Sequence, residues 1–282
     1  MGAVLALASA LCYGVADFAG GLLSRRANGV AVALAGQAIG FVLMLAVAPL
    51  VPAGDVGASD LAWGALSGVG TGVGMVYLYR GLSHGAMSVV VPVSAVGGLA
   101  LPVLVGVALL GERPSPWSWL GIALAAPALW LVAQPGGRSH GGEHGATTTA
   151  TVEGLTASAG IALQYVALAQ AGHGAGIWPV VAGRLTATLV ILVLASSSGS
   201  RLRLSPGLTA AAGVNGAVAA LALVCYLLAT REQLVTVAVV LSSLYPAIPV
   251  LLGITVLRER LGGRQVAGLA GSAAAVLLLT AG

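Results

Sequence analysis

The sequence predicts an all-α integral membrane protein with ten transmembrane helices, arranged as two inverted-topology repeats of five helices each. Three observations predict this fold class: a composition too apolar for a water-soluble surface, ten apolar segments of membrane-spanning length, and an internal repeat. Hydrophobic residues make up 58% of the 282 residues and charged residues only 7%, whereas a soluble domain is about 25% charged. The composition therefore favours a protein that lies in a lipid bilayer.

Ten apolar segments follow one another, and most have about 20 residues, enough to cross a ~30 Å hydrocarbon core. We number them as spans 1 to 10; their limits are 3–23, 30–51, 59–80, 86–109, 116–134, 154–171, 177–196, 207–229, 235–257 and 265–281. Span 1 continues past Ala8-Ser9-Ala10, which favours a transmembrane helix over a cleaved signal peptide. A linker at 135–152, rich in Gly, Thr and His, separates a first repeat at 1–134 from a second repeat at 153–282.

The two halves align without a gap when the chain is shifted by 147 residues, which carries Glu112-Arg113 onto Glu259-Arg260. Further matches are Tyr79 with Tyr226, Pro102 with Pro249, Gly106 with Gly253 and Gly121 with Gly268. Because each half has an odd number of spans, the second half enters the membrane from the opposite side. Inverted repeats of this kind are typical of secondary transporters, whose binding sites lie near the midplane between the repeats.

A charged turn, LLGERPSPWSWLG at 109–121, joins spans 4 and 5. Gly111 is expected to end span 4, and Ser115 to cap the helix of span 5. We expect Glu112 to accept hydrogen bonds from the amides that open span 5, so that the turn is a structural clamp.

Prolines lie within spans 4 and 9, at Pro92, Pro102, Pro246 and Pro249. Proline breaks backbone hydrogen bonds inside a helix, so these residues predict kinks or hinges. Kinked spans at equivalent positions of two repeats are typical of the moving or binding elements of transporters.

Several motifs are shared with one transporter family. They are Tyr13-Gly14 in span 1, the Gly-Glu-Arg turn after span 4, Arg184 early in span 7, and the stretch LSSLYPAIPVLLGITVLRERLGGRQVAG at 241–268. In these the chain resembles the EamA-type members of the drug/metabolite transporter superfamily, which have ten helices in two five-helix repeats. The departures are Gln37 at the position equivalent to Arg184, Gly98-Leu99 opposite Tyr245-Pro246, and Arg258 before Glu259. The resemblance implies the fold and a transport function, but not the substrate, because the family transports very different small molecules.

Two ionisable residues stand out inside the spans, Asp17 in span 1 and Arg184 in span 7, and intramembrane ionisable residues are candidate functional residues by default. The repeat register places Asp17 on Gln164 and Gln37 on Arg184. Face A is the membrane side of the N-terminus, and face B is the other side. Asp17 and Gln37 lie roughly 10 Å from face B. Gln164 and Arg184 lie roughly 10 Å from face A. We therefore expect Asp17 to contact Gln37, and Arg184 to contact Gln164.

Two interpretations of each charged residue remain open. Asp17 either loads and releases a proton, or is structural and bonded to Gln37 or Arg25. Arg184 contacts either the substrate or a gate, or it is structural and paired with Gln164. Other candidates for the substrate or ion pathway are polar side chains that suit an amphipathic ligand: Tyr13, Tyr79, Ser94, Tyr165, Asn215, Tyr226, Ser243 and Tyr245. The alternative for each is an ordinary hydrogen bond between helices, worth ~0.6 kcal/mol on average.

These features predict a proton-coupled secondary transporter that exports a small amphipathic metabolite by alternating access. The expected partners are this small-molecule substrate and the lipid bilayer of the plasma membrane, which the chain crosses several times. No cofactor, metal or enzymatic activity is expected, since no HExxH, GxSxG or zinc-type spacing occurs, and 12 basic residues are too sparse for a nucleic-acid surface. The alternatives are an uncoupled facilitator or exchanger, and a non-transporting membrane scaffold or receptor.

Arginines are distributed unevenly between the two faces. Leaving out Arg184, face B carries Arg25, Arg26, Arg80, Arg138, Arg201, Arg203, Arg258, Arg260 and Arg264, and face A carries Arg113 and Arg231. The positive-inside rule therefore places face B in the cytoplasm and both termini outside. Characterised relatives of the resembled type are usually drawn with both termini inside, so the two indications differ.

Overall fold

The computed structural model describes residues 1–24, 26–83, 87–133, 144–197, 202–256 and 262–281, and within these ranges the chain is α-helical with no β-strand. The helices are α1 (Gly2–Ser24), α2 (Gly29–Val47), α3 (Ala58–Ser83), α4 (Met87–Ala108), α5 (Pro116–Val132), α6 (His144–Ala169), α7 (Trp178–Ser197), α8 (Pro206–Thr230), α9 (Val235–Ser242), α10 (Ala247–Thr255) and α11 (Gly263–Ala281). Short 3-10 helices lie at Ala48–Leu50 and His173–Ala175.

Seven helices in the described ranges are long and apolar enough to cross a membrane: α1, α2, α3, α6, α7, α8 and α11. Three further apolar stretches are shorter, at Val93–Ala108, Pro116–Val132 and Val235–Pro249. The predicted all-α class is therefore confirmed for the described residues, with seven helices that are candidates to cross a membrane. The predicted number of ten spans stays a prediction.

The predicted span 9 consists of two helices. α9 ends at Ser242, a turn follows, and α10 begins at Ala247. Pro246 breaks the helix because it has no amide hydrogen for the Ser242 carbonyl, which accepts a long bond of 3.4 Å from the Tyr245 amide instead. Leu99 occupies the equivalent position of the first repeat, and α4 runs without interruption through both of its prolines. The helix is therefore broken in span 9, whereas α4 is continuous, and a kink in span 4 stays a prediction.

The packing of the helices has the same pattern in both halves. α3 packs against α6 and α7, and α8 packs against α1 and α2; in addition, α2 packs on α7 and α5 packs on α11. The shift of 147 residues carries α1, α2, α3 and α5 onto α6, α7, α8 and α11. Exchanging the two halves therefore carries the contacts of α3 onto those of α8, and carries the α2–α7 and α5–α11 contacts onto themselves. This symmetry fits two repeated halves.

Glycines let the central helices touch backbone to backbone. A Cβ atom on Gly68 of α3 would overlap the carbonyl of Gly183 of α7, and one on Gly216 of α8 would overlap the carbonyl of Gly36 of α2. Small residues permit such close approach between helices in a membrane. The close contacts draw these helices together, so that their polar side chains meet in the middle of the bundle.

Glu112, in the connection between α4 and α5, caps α9 instead of α5. Its carboxylate oxygens accept hydrogen bonds from the amides of Val235 at 2.6 Å and Thr236 at 2.8 Å. The expectation that Glu112 caps the helix of span 5 is therefore wrong. The Ser115 side chain already caps α5, whereas α9 has no capping side chain at its own N-cap position. Gly111 ends the preceding segment with φ +69°, as expected. The carboxylate therefore links the two halves of the chain.

α6 begins earlier than span 6 was predicted to begin. It starts at His144, so residues 144–152 of the predicted linker are helical, and 135–143 lie outside the described residues. This part of the chain has no proline to interrupt the helix. As a result Glu153 is buried, with 7% of its surface exposed. Glu153 is not among the residues predicted from the sequence, since it lies just before the predicted start of span 6.

The connections at face A are bonded to one another. Asp60, near the start of α3, accepts a hydrogen bond at 2.7 Å from the amide of Gly172, which follows α6. Arg231, which follows α8, donates to the carbonyls of Gly172 at 3.1 Å and Gly176 at 2.9 Å. The start of α3 and the end of α8 are thus both bonded to the loop that follows α6, at face A of the bundle.

Candidate binding cavity

A cavity of about 130 Å³ lies between the two halves of the bundle. Side chains of α1, α2 and α3 line it from the first half, and side chains of α6, α7, α8 and the turn before α10 line it from the second. This space is large enough to hold a small solute. The predicted site residues that line it are Tyr13, Asp17, Gln37, Gln164, Tyr165, Arg184, Asn215 and Tyr245.

Arg184 is bonded to Gln37 inside this cavity. The Arg184 Nη1 atom donates to Gln37 Oε1 at 2.7 Å, and 2% of the arginine surface is exposed. The expected contact of Arg184 with Gln164 is therefore wrong. Counting residues from the helix ends compares backbone depths, but a long arginine side chain carries its guanidinium well away from its own Cα, and helix tilt shifts depths further.

Gln164 is bonded to α3 and α1. Its Oε1 accepts a hydrogen bond from Thr71 at 2.7 Å, and its Nε2 donates to the Tyr13 hydroxyl at 2.8 Å. Ser67 donates to the Gln164 backbone carbonyl at 2.9 Å. Thr71 lines the cavity and is not among the residues predicted from the sequence. The signal available there was a pair of hydroxyl residues one helical turn apart within a membrane helix, Ser67 and Thr71.

Asp17 has an exposed side chain and lines the cavity. Among the described residues it has neither a hydrogen-bond partner nor an ion pair, so the expected contact with Gln37 is wrong. Arg25, the other partner considered, lies outside the described residues. The Gln37 side chain instead accepts a hydrogen bond from Arg184 through Oε1, and its Nε2 atom contacts Met75 Sδ at 3.2 Å. The carboxylate of Asp17 is therefore accessible from the cavity.

Tyrosine rings form one wall of the site. The Tyr13 ring lies 6.4 Å from that of Tyr165 and 6.0 Å from that of Tyr245, measured between centroids. Tyr226 lies behind this wall: its ring centroid is 4.6 Å from that of Tyr165, and its hydroxyl donates to the Tyr165 carbonyl at 2.9 Å. The wall presents an apolar surface with hydroxyl groups to a ligand.

Three of the remaining candidates do not line the cavity. Tyr226, Ser94 and Ser243 are buried elsewhere in the bundle, and the side chain of Tyr79 lies outside the described part of the chain. Two buried polar atoms of cavity-lining residues have no hydrogen-bond partner among the described residues, Arg184 Nε and Asn215 Oδ1. In the described ranges, no group of three His, Cys, Asp or Glu side chains is placed to hold a metal ion.

Comparison with known proteins identifies one family. A profile of the EamA-like transporter family matches residues 1–134 and 150–281. A crystal structure that is 19% identical in sequence matches with a TM-score of 0.69 over 99% of this chain and 96% of that chain; at this identity the likeness concerns the fold alone. No curated protein matches the chain. The two matched parts are separated by residues 135–149, which make up most of the predicted linker.

Proposed function

The chain belongs to the EamA-like transporter family, so it is a membrane transporter of the drug/metabolite type, and we propose that it exports a small amphipathic metabolite by proton-coupled alternating access. The observation that carries this proposal is the cavity between the halves, which holds an acidic and a basic side chain that are not paired with each other. Its tyrosine wall suits the apolar part of such a solute, and Arg184 and Asn215 suit the polar part.

Alternating access by two inverted repeats, 1–134 and 153–282, is supported by the bond between Gln37 and Arg184. These two residues are 147 positions apart, which is the repeat shift, so they occupy equivalent positions of the two halves. Equivalent side chains can touch only near the axis that relates the halves. A binding site near this axis is common in transporters with inverted repeats, because the two halves move against each other around it.

Export is supported by the difference between the two faces. The face-A connections are bonded to one another through Asp60 and Arg231, whereas Asp17, on the face-B side of the cavity, is exposed. By the positive-inside rule, the arginine distribution favours face B as the cytoplasmic side. A cavity that fills from the cytoplasm fits an exporter.

Proton coupling is proposed for Asp17, because an accessible carboxylate without a bonded partner is free to take up a proton. The test is flux into proteoliposomes of the purified protein, screened with small amphipathic metabolites in the presence and absence of a pH gradient. For a transported solute, we expect the gradient to accelerate flux in the wild type. Asp17→Asn should abolish this acceleration while exchange of the solute at equal pH continues.

The matched control is Asp55→Asn, which removes a charge from an exposed carboxylate in the face-A loop before α3 and should keep the wild-type acceleration. An Asp17→Asn protein that retains the wild-type response to pH would exclude Asp17 as the coupling group. A wild type without any response would favour the uncoupled facilitator or exchanger. No flux of any solute would favour the scaffold or receptor.

A further inference from the structure

The Gln164 carboxamide bridges α3 and α1 inside the cavity. It accepts from Thr71 through Oε1 and donates to Tyr13 through Nε2, at 2.7 Å and 2.8 Å. The side chain is buried, with 7% exposed, so bulk water does not compete for these bonds. A carboxamide is an acceptor at one end and a donor at the other. Its orientation therefore decides which neighbouring hydroxyl donates and which accepts.

Thr71 determines this orientation. Its hydroxyl has one proton and two acceptors within reach, Gln164 Oε1 at 2.7 Å and the Ser67 carbonyl at 3.0 Å. The shorter distance is the usual one for an O–H···O bond, whereas 3.0 Å is at the long end of that range, so Gln164 Oε1 is the better acceptor. Thr71 thus donates to Oε1, which turns the Nε2 hydrogens of Gln164 toward Tyr13.

The Tyr13 hydroxyl accepts from Gln164, so its single proton is available to the cavity. Arg184 lines the same cavity. Its Nη1 is bonded to the neutral amide of Gln37, and its Nε has no partner among the described residues. A buried guanidinium without an opposite charge is unfavourable, and charge-assisted hydrogen bonds to a carboxylate are strong. The site therefore has two donors and an unbalanced positive charge.

We propose that Thr71 and Gln164 are positioning residues that fix Tyr13 as a hydrogen-bond donor, and that Tyr13 and Arg184 together bind a carboxylate of the solute. The proposal rests on the proposed transport function, because the carboxylate belongs to the transported molecule. Arg184 and Asp17 line the same cavity, and Arg184 is bonded to Gln37. Repulsion from Asp17 would orient the anionic end of the solute toward Arg184.

The test measures dissociation constants by titration calorimetry on the purified full-length protein in detergent. The probes are three pairs that differ in the anionic group: benzoate and benzamide, phenylacetate and phenylacetamide, butyrate and butyramide. We expect the wild type to bind the carboxylate of at least one pair about tenfold more tightly than its carboxamide. Tyr13→Phe should lower this ratio severalfold because the phenol donor is lost.

Thr71→Val should lower the ratio as well, although Tyr13 is still present, because the freed Gln164 amide can turn and accept the phenol proton. Thr71→Ser keeps the hydroxyl and should restore the ratio, which separates positioning from a general effect on folding. Two matched controls should leave the ratio unchanged. They are Tyr226→Phe, whose hydroxyl bonds to the Tyr165 carbonyl, and Thr280→Val in α11, whose hydroxyl bonds to the Val276 carbonyl.

A wild-type ratio in either Tyr13→Phe or Thr71→Val would overturn the proposal, and so would a wild type that prefers none of the three carboxylates. Binding is measured here without a membrane gradient. A protein that prefers carboxylates in detergent but moves no solute in vesicles would contradict the transport function alone.

Discussion

At the scale of single residues, the hydrogen-bond partner of Arg184 determines whether its charge is available to a solute in the cavity. The guanidinium is almost completely buried and is bonded to the carboxamide of Gln37 at 2.7 Å. An amide oxygen satisfies a hydrogen-bond donor but does not neutralise its charge. A carboxylate at position 37 would form an ion pair and remove the net charge. The glutamine therefore leaves the positive charge of Arg184 available to a solute.

This arrangement predicts the effect of Gln37→Glu. The new carboxylate should pair with Arg184 and compete with an anionic solute, weakening its apparent affinity by about tenfold or more. The measurement is concentration-dependent uptake into proteoliposomes. Gln170→Glu makes the same change at the end of α6, outside the cavity, where the side chain bonds to the Val166 carbonyl, and should behave like the wild type. Unchanged affinity in Gln37→Glu would show that Arg184 does not bind the solute.

At the scale of secondary structure elements, the short helix α9 depends on a residue from the other half of the chain. α9 spans Val235–Ser242, and Pro246 prevents it from continuing as a longer helix. So short a helix has little stability of its own in isolation. Glu112 supplies the cap, with both carboxylate oxygens bonded to amides of its first turn. Gly106 makes room for this carboxylate, since a Cβ there would lie 2.8 Å from Glu112 Oε2.

We expect Glu112→Ala to destabilise the folded protein by about 1.5–3 kcal/mol, because two part-buried amides would lose a charged acceptor. The measurement is the thermal unfolding midpoint in detergent. Glu232→Ala removes an exposed carboxylate from the loop between α8 and α9 and should change the midpoint little. Equal midpoints for the two variants would mean that water replaces the Glu112 cap without loss.

At the scale of the whole molecule, the two faces differ in how the chain is held. The face-A connections are tied together at Gly172, which bonds to both Asp60 and Arg231, and Glu112 adds a bond between the halves at the same face. Opening a path from the cavity to face A requires these contacts to separate. The sequence also distinguishes the faces, because most arginines lie on face B.

The arginine distribution predicts the orientation of the whole chain. With nine arginines assigned to face B and two to face A, we expect both termini outside the cytoplasm. A periplasmic reporter enzyme fused after Gly282 should then be active, and the same reporter inserted into the 135–152 linker should be inactive. The reverse pattern would place face B outside and would make the accessible side of the cavity extracellular.

The sequence by itself determined the class of the protein and its local features. Hydropathy and repeat spacing depend only on composition and order, so they identify a membrane protein with two related halves before any contact is known. The Ser115 cap, the Gly111 helix end and the Pro246 break depend on residues within about four positions. Polar residues are rare in these spans and avoid lipid, which explains why most of the chosen candidates line one cavity.

Only the tertiary structure decided which of these residues meet. Gln37 bonds to Arg184 and Gln164 bonds to Tyr13, whereas counting depths along single helices had paired Arg184 with Gln164. Such counts contain neither the tilt of a helix, nor the direction of a side chain around it, nor the reach of a long side chain. Glu112 likewise bonds to α9, more than 100 positions away. Partners so distant in sequence are selected by packing of the whole bundle, which no local pattern records.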